Sequence, residues 1–228
     1  MRRWSNTSLD PSSPTRPDRG FQTHGLVRMS PDSIVRDHCV IGIPYRPVDG
    51  KHLPCRPETI LCAGSRLGPY VTIMAGTVVG PGTSVDPGCT VEQDVDIGEG
   101  CLVTYHSYVC NEAKIGDNAV VGGFVGERSI IGARCRMFGS LVHPLNDPAA
   151  PWDGNDEPAP TLADDVVVGF GALVIGGIRI AGPSFVTAGA IVTEDVPAGY
   201  VVTGRNCLVR SSDWKGTLRS SSWWTGMR

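Results

Sequence analysis

From Leu61 onward, aliphatic residues recur at every sixth position: Leu61, Leu67, Ile73, Val79, Val85, Val91, Ile97, Val103, Val109, Ile115 and Val121. A second row, four residues beyond each of the first ten, holds only small or β-branched side chains: Ser65, Val71, Thr77, Thr83, Cys89, Val95, Cys101, Ser107, Ala113 and Ala119. Glycine often follows the aliphatic residue, as at Gly68, Gly80, Gly98, Gly116 and Gly122. A period of six fits neither the helix repeat nor a two-residue alternation broken by hairpins. It fits short strands joined by tight corners, each strand turning one large and one small side chain into a narrow prism. Three such strands close a coil of about 18 residues, and coils stack at the strand spacing, about 4.8 Å. A single coil cannot bury its own faces, so the array is stable only as a stack.

The register slips once, between Val121 and Val125, and continues through Ile131 and Met137. After Met137 the pattern leaves the coil through HPLNDPAAPWDGNDEPAP, an acidic, proline-rich stretch over 143–160. It resumes at Leu162, Val168, Val174, Ile180, Val186 and Val192. A departure that returns in a compatible period loops out from a wall of the prism, and long loops of this kind often carry function. The expected organisation is a mobile arm over 1–33, a β-helix domain over 34–210 with an inserted loop at 143–161, and a capping tail over 211–228. Residues 34–60 read as an irregular first coil, with Ile34 and Val40 interrupted by IPYRPVDGKHLPCRP. In the tail, Trp214, Trp223 and Trp224 break the period and are expected to cap the open end or an interface.

Composition agrees with an all-β solenoid. The 228 residues include 29 Gly and 18 Pro with only 7% aromatics, too many turns for a helical protein. A net charge of −3 gives no reason to expect a nucleic-acid partner. The N-terminus lacks an apolar signal core and no run approaches a membrane span, so the expected location is the cytoplasm, with no membrane partner. Of the eight cysteines, Cys89, Cys101 and Cys135 fall in the small inward row and read as reduced core fillers. Cys62 and Cys110 follow the aliphatic row by one residue, and no CxxC pair exists, so no metal is expected.

The six-residue pattern resembles the hexapeptide-repeat acyltransferases, whose prism is a left-handed parallel β-helix. The handedness is implied by that resemblance, because the general crossover rule favours the right-handed sense. LVHPLNDP, followed by a loop and VVVGFGALVIGG, is similar to the sugar O-acetyltransferase branch, where a His-Pro leaves the coil before an insertion. TAGAIVTEDVPAGYVVTG resembles the family's closing signature. The chain departs from that signature at Arg205, Asn206, Cys207 and Leu208, where Asn-Pro-Ala and a basic residue are usual, and at Glu194, where Lys is common. The resemblance implies an acyl transferase taking acetyl-CoA as donor, a small-molecule acceptor with an amine or hydroxyl, and a homotrimer with sites between subunits. A nucleotide-linked sugar is the first expectation for the acceptor and an amino-bearing natural product the second.

Acyl transfer needs a base for the attacking group, and histidine suits that task near neutral pH. His143 opens the insertion and matches the family's His-Pro position, so it is the first candidate. His106, in TYHSY, is the second, and Asn111 stands where related amino-sugar enzymes carry a histidine. If the short Val121 repeat counts as a full strand, His106 and His143 are expected near one corner, about two coils apart. His24, His38 and His52 fall outside the repeat. Tyr105, Asp147, Trp152 and Asp153 are candidates for the acceptor, with Asp156 and Glu157 in the same acidic loop. For the donor, the resemblance points to Gly169, Gly171 and Ala172, to Thr187, Ala188 and Gly189, and to Arg205 and Arg210 for the phosphates. Two other readings share the scaffold. One is a carbonic anhydrase-like zinc enzyme, and the other is a catalytically silent assembly subunit.

Overall fold

The structure is a computed structural model and describes residues 20–44, 54–104, 106–146 and 157–218. Every regular element among them is a short β-strand. The strands fall into three sheets of nine, eight and ten strands, here walls 1, 2 and 3, and the chain visits them in that order coil after coil. Neighbouring strands within each wall pair in parallel, apart from one antiparallel pair at the C-terminal end of wall 3.

The six-residue rows explain this packing directly. All eleven aliphatic positions from Leu61 to Val121 are at most 3% exposed, as are Ile131, Met137 and the resumed row from Leu162 to Val192. The small row lies just as deep, from Ser65 and Val71 to Ala113 and Ala119. The prism is therefore filled by one large and one small side chain per wall per coil. The cysteines of the small row donate their S–H to carbonyls of the next coil: Cys89 to Thr104 at 2.9 Å, Cys101 to Gly116 at 3.2 Å and Cys135 to Ala163 at 3.0 Å. Burial pushes the Cys89 and Cys135 thiols up to about 11, which suits inert fillers rather than nucleophiles.

Each regular corner holds one residue in the left-handed region. In one coil these are His106, Glu112 and Asn118, at φ 60°, 58° and 58°. That conformation costs an L-residue about 1–2 kcal/mol. It is sustained by hydrogen bonds from these residues' N–H groups to Pro87, Gln93 and Glu99 of the coil before.

Three features differ from the expected organisation. The first coil begins earlier than residue 34: Gln22–Thr23 pairs with the wall 1 strand Val40–Ile43, and Leu26–Met29 pairs with Glu58–Leu61 of wall 2. The break after Val40 is thus an excursion between walls 1 and 2, not an irregular coil. The register also slips twice rather than once. Tyr108 pairs with Phe124, and Phe124 with Ser140, at a spacing of sixteen residues where Thr90 and Tyr108 show eighteen. The second four-residue step runs from Met137 to Leu141, which lies two residues before the departing loop and has no further repeat beyond it to mark its register. Finally, Trp214 packs edge-on against Phe185 on the outer face of wall 3, with ring centroids 6.5 Å apart. Trp223 and Trp224 lie outside the described residues.

Candidate active site

Both long departures leave the prism at the same edge. Residues 44–57 separate Val40–Ile43 of wall 1 from Glu58–Leu61 of wall 2, and residues 143–160 separate Ser140–Val142 from Thr161–Leu162. Four coils lie between them. The returning limb of the first is pinned to that edge by Arg56, whose N–H donates to Asp94 Oδ1 at 2.8 Å and whose guanidinium reaches Asp94, Asp96 and the Val95 carbonyl. The second is tied at its neck, where Glu157 accepts the N–H groups of Leu145 at 3.0 Å and Asn146 at 2.6 Å. Arg128 of the coil below donates to the Glu157 carbonyl at 3.2 Å.

Between these straps, the ends of the wall 1 strands build a polar ladder. Two residues beyond each inward aliphatic stand Gln93, Asn111, Glu127 and His143, one per coil. The Gln93 N–H donates to Asn111 Oδ1 at 3.1 Å, and Asn111 Nδ2 donates to Glu127 Oε1 at 3.2 Å. Glu92 lies beside them, accepting from the Tyr108 hydroxyl at 2.6 Å and from the Asn111 N–H at 3.1 Å. Burial raises the Glu92 pKa; the two donors oppose the shift and the Glu127 charge adds to it. The same burial and the same two carboxylates push the Cys110 thiol far up, so it is no nucleophile.

His143 is the top rung. A Cβ on Gly126 would sit 3.5 Å from its Cδ2 and 3.6 Å from its Nε2, so the ring lies against the coil below. Both ring nitrogens are shielded and bonded to nothing among the described residues. That is costly for a polar group and is the pattern expected where a ligand or a moving neighbour completes the bonding.

The remaining candidates lie elsewhere. His106 occupies the edge between walls 3 and 1, over Gly88, so within one chain it does not share a corner with His143. The expectation of one shared corner is corrected: the corner before Tyr108 precedes wall 1, and the one after Val142 follows it. Gly169, Gly171 and Ala172, then Thr187, Ala188 and Gly189, line that same 3–1 edge in successive coils. Gly171 and Gly189 hold φ of 67° and 70°, and a Cβ at either would meet nothing within 4 Å. The backbone there is open to an approaching chain. Arg205 and Arg210 are exposed, with Arg210 lying 6.0 Å from the Tyr200 ring centroid. Two departures from the closing signature meet each other: Asn206 Nδ2 donates to Glu194 at 3.2 Å and to Thr193 Oγ1 at 2.7 Å. Tyr105, Asp147, Trp152, Asp153 and Asp156 lie outside the described residues.

Sequence reasoning named His143 and Asn111 but missed Glu92, Gln93 and Glu127. Gln93, Asn111, Glu127 and His143 are sixteen or eighteen residues apart, and only reading down the coil period, two places past each wall 1 aliphatic, shows them as one column, with Glu92 beside it. A shallow cavity of about 520 Å³ on wall 2, lined by Ile130, Arg134, Asp164, Asp165 and Arg179 among others, shares none of these residues. Among the described residues no three His, Cys, Asp or Glu side chains gather as a metal site, and no helix is long and apolar enough to cross a membrane.

No family model matches the chain. Two curated relatives are similar to a short part of it, both 2,3,4,5-tetrahydropyridine-2,6-dicarboxylate N-acetyltransferases of Staphylococcus aureus. The one from strain Newman is 50% identical over 48 residues, 21% of this chain and 20% of the relative. The one from strain JH9 is 51% identical over 43 residues, 19% and 18%. The chain thus spans about a fifth of the length of the curated relatives it matches. Among solved structures, the Arabidopsis UDP-N-acetylglucosamine acyltransferase covers 82% of this chain and 73% of its own, at 16% identity and a TM-score of 0.50. The likeness shows the fold, a stack of parallel strands in three walls.

Proposed function

We propose that the chain is a coenzyme A-dependent acyltransferase that moves an acetyl group to an amine or hydroxyl of a small molecule. A nucleotide-linked sugar or a natural-product intermediate is the expected acceptor. The observation that carries the reading is His143: a histidine at the mouth of an excursion, at the end of a polar ladder, with both ring nitrogens shielded and without a bond among the described residues. Relatives named as N-acetyltransferases support the acetyl group.

When bound, acetyl-CoA supplies a thioester carbonyl open to attack. His143 takes the proton from the attacking N–H or O–H as the new bond forms, and returns it to the departing sulfur, so no net proton is stored. Gly171 and Gly189 fit a narrow pantetheine arm, since no side chain fills the space beside them. Exposed Arg205 and Arg210 suit the phosphates.

The same reading carries a homotrimer, in the cytoplasm, with sites between subunits. His143 and the open glycines lie on opposite edges of wall 1, too far around one prism to act together. The outer face of wall 1 presents Tyr108 and Phe124, stacked at 6.0 Å and partly exposed, and Leu173. Three prisms with wall 1 turned to a common axis bring the 1–2 edge of each against the 3–1 edge of the next.

The test is incubation with acetyl-CoA and a panel of amino sugars, sugar nucleotides and amines, with products followed by mass spectrometry. The expected result is one acetylated class of acceptor, with loss of product in His143→Ala. Full activity in both His143→Ala and His106→Ala would sink the assignment of the base. Sedimentation of the wild-type chain as a monomer would sink the trimer.

A further inference from the structure

We propose that Glu127 is the positioning carboxylate of His143, fixed for that task by Asn111; the proposal rests on the reading of His143 as the general base. A histidine base works from one nitrogen only if the proton on the other is held by an acceptor. The groups that face the ring come from three places. Among the described residues, the neck of its own excursion brings Leu145 and Glu157, the coil below brings Gly126, against the ring, with Glu127 and Arg128 beside it, and the register places Tyr108, Cys110 and Asn111 in the coil beneath that, with Glu92 one coil further. Most of these are already committed. Glu157 spends both carboxylate oxygens on Leu145 and Asn146, and Glu92 spends both on Tyr108 and Asn111. Arg128 donates and cannot accept. Glu127 alone among these carboxylates has an oxygen with no hydrogen bond among the described residues: Oε1 takes the Asn111 amide, and Oε2 takes nothing.

The orientation of Asn111 is not arbitrary. A backbone N–H can only donate, so the bond from Gln93 forces Asn111 Oδ1 to that side and leaves Nδ2 to face Glu127. The amide is 7% exposed and cannot turn without leaving that N–H unsatisfied. Glu127 is thereby presented at the level where the Val125 to Leu141 pairing sets His143 one coil above. Gly126, without a side chain, lets the imidazole approach that level. The bond is open in the structure, where both ring nitrogens and Oε2 lack a partner among the described residues; a turn of the two side chains closes it, Oε2 accepting the N–H of one ring nitrogen and leaving the other bare toward the acceptor. The ladder from Glu92 through Asn111 thus acts on the chemistry only through the imidazole.

Glu127→Gln, which keeps the shape and the Asn111 contact, is the deciding variant. Selective ¹⁵N labelling of histidine in the full chain reports the tautomer of the neutral His143 ring, assigned by the signal lost in His143→Ala. Wild type is expected to show one tautomer, and Glu127→Gln to lose it. In turnover, Glu127→Gln is expected to lower kcat about tenfold to a hundredfold with KM within about twofold, and Glu127→Asp to recover part of the loss. An unchanged tautomer in Glu127→Gln, or a kcat within about twofold of wild type, overturns the proposal. The ring spectrum needs no turnover, so it separates a wrong partner for His143 from a chain that is not an acyltransferase.

Discussion

The two edges of wall 1 depart from the repeat in opposite senses. At the edge toward wall 2 the chain adds residues, over 44–57 and again over 143–160. At the edge from wall 3 it removes them, two between Val121 and Val125 and two between Met137 and Leu141. Apart from one shift between Ile41 and Ile43, beside the first excursion, the walls hold register, because a slip would turn an aliphatic residue outward. Change is therefore confined to corners. Added chain brings polar groups and a histidine over the edge. Removed chain leaves tight corners made from Gly122, Gly123, Phe138 and Gly139. The Phe138 ring stacks on that of Phe170, 72% exposed, at 4.8 Å. One edge is shaped for chemistry and the other for close approach.

The sharpest attack on this contrast is at the histidines. His143→Ala is expected to lower kcat/KM by about 10²–10⁴, the span of a lost general base, and His106→Ala by less than about tenfold. Equal losses, measured with the same acceptor, would erase the distinction between the edges. Leu141 comes next, since its strand begins at a shortened corner and ends at an excursion. Leu141→Ala should cost about 2–5 kcal/mol in urea denaturation, whereas Leu173→Ala, on the outer face of the same wall, should stay under about 1 kcal/mol. Gly123 tests the shortened corner alone. It holds φ 99°, and a Cβ would run into the Gly139 carbonyl oxygen. Gly123→Ala should cost about 1–3 kcal/mol, and Gly171→Ala, where the space is open, about 1 kcal/mol. A larger loss at Gly171 would mean that the wrong corner has been called tight.

Glu92 gives the smallest effect and bears on the ladder. Burial raises its pKa in the folded chain, so the folded state holds the proton more tightly than the unfolded one. Stability from this group is present below the unfolded value and is lost as pH rises through the folded one. Glu92→Gln should accordingly gain in melting temperature relative to wild type at about pH 7, and the gain should shrink toward pH 4. A gain that grows on acidification would show the carboxylate to be stabilised by its donors rather than penalised by burial.

Most of the fold was legible because the inward rows are long and their signal is purely one of size. Eleven aliphatic positions in one register leave few architectures to consider. The first coil was hidden because Val27, Met29 and Val35 are spread across an interruption and only partly buried, so composition at the N-terminus outweighed them. The site was half legible. His143 stood out by its proline and its place at a break, while Glu127 has no local mark: beside Gly126 and Arg128 it reads as a solvated turn. What gives it meaning is contact along the stack, at a spacing that the shortened corners change from eighteen to sixteen.

The C-terminal hairpin has a further consequence. Cys207–Arg210 runs antiparallel to Tyr200–Thr203, and the same crossing segment bonds the final wall 1 strand, with Ile191 N–H donating to the Gly204 carbonyl and Asn206 N–H to the Ile191 carbonyl. A stack of like coils is a template that would accept another molecule's first coil as readily as its own next one. Here wall 3 ends on a strand of the opposite polarity, and the end of wall 1 is already bridged at Ile191 by the segment that leads into it. A parallel newcomer therefore meets a mismatched edge on one wall and an occupied one on another.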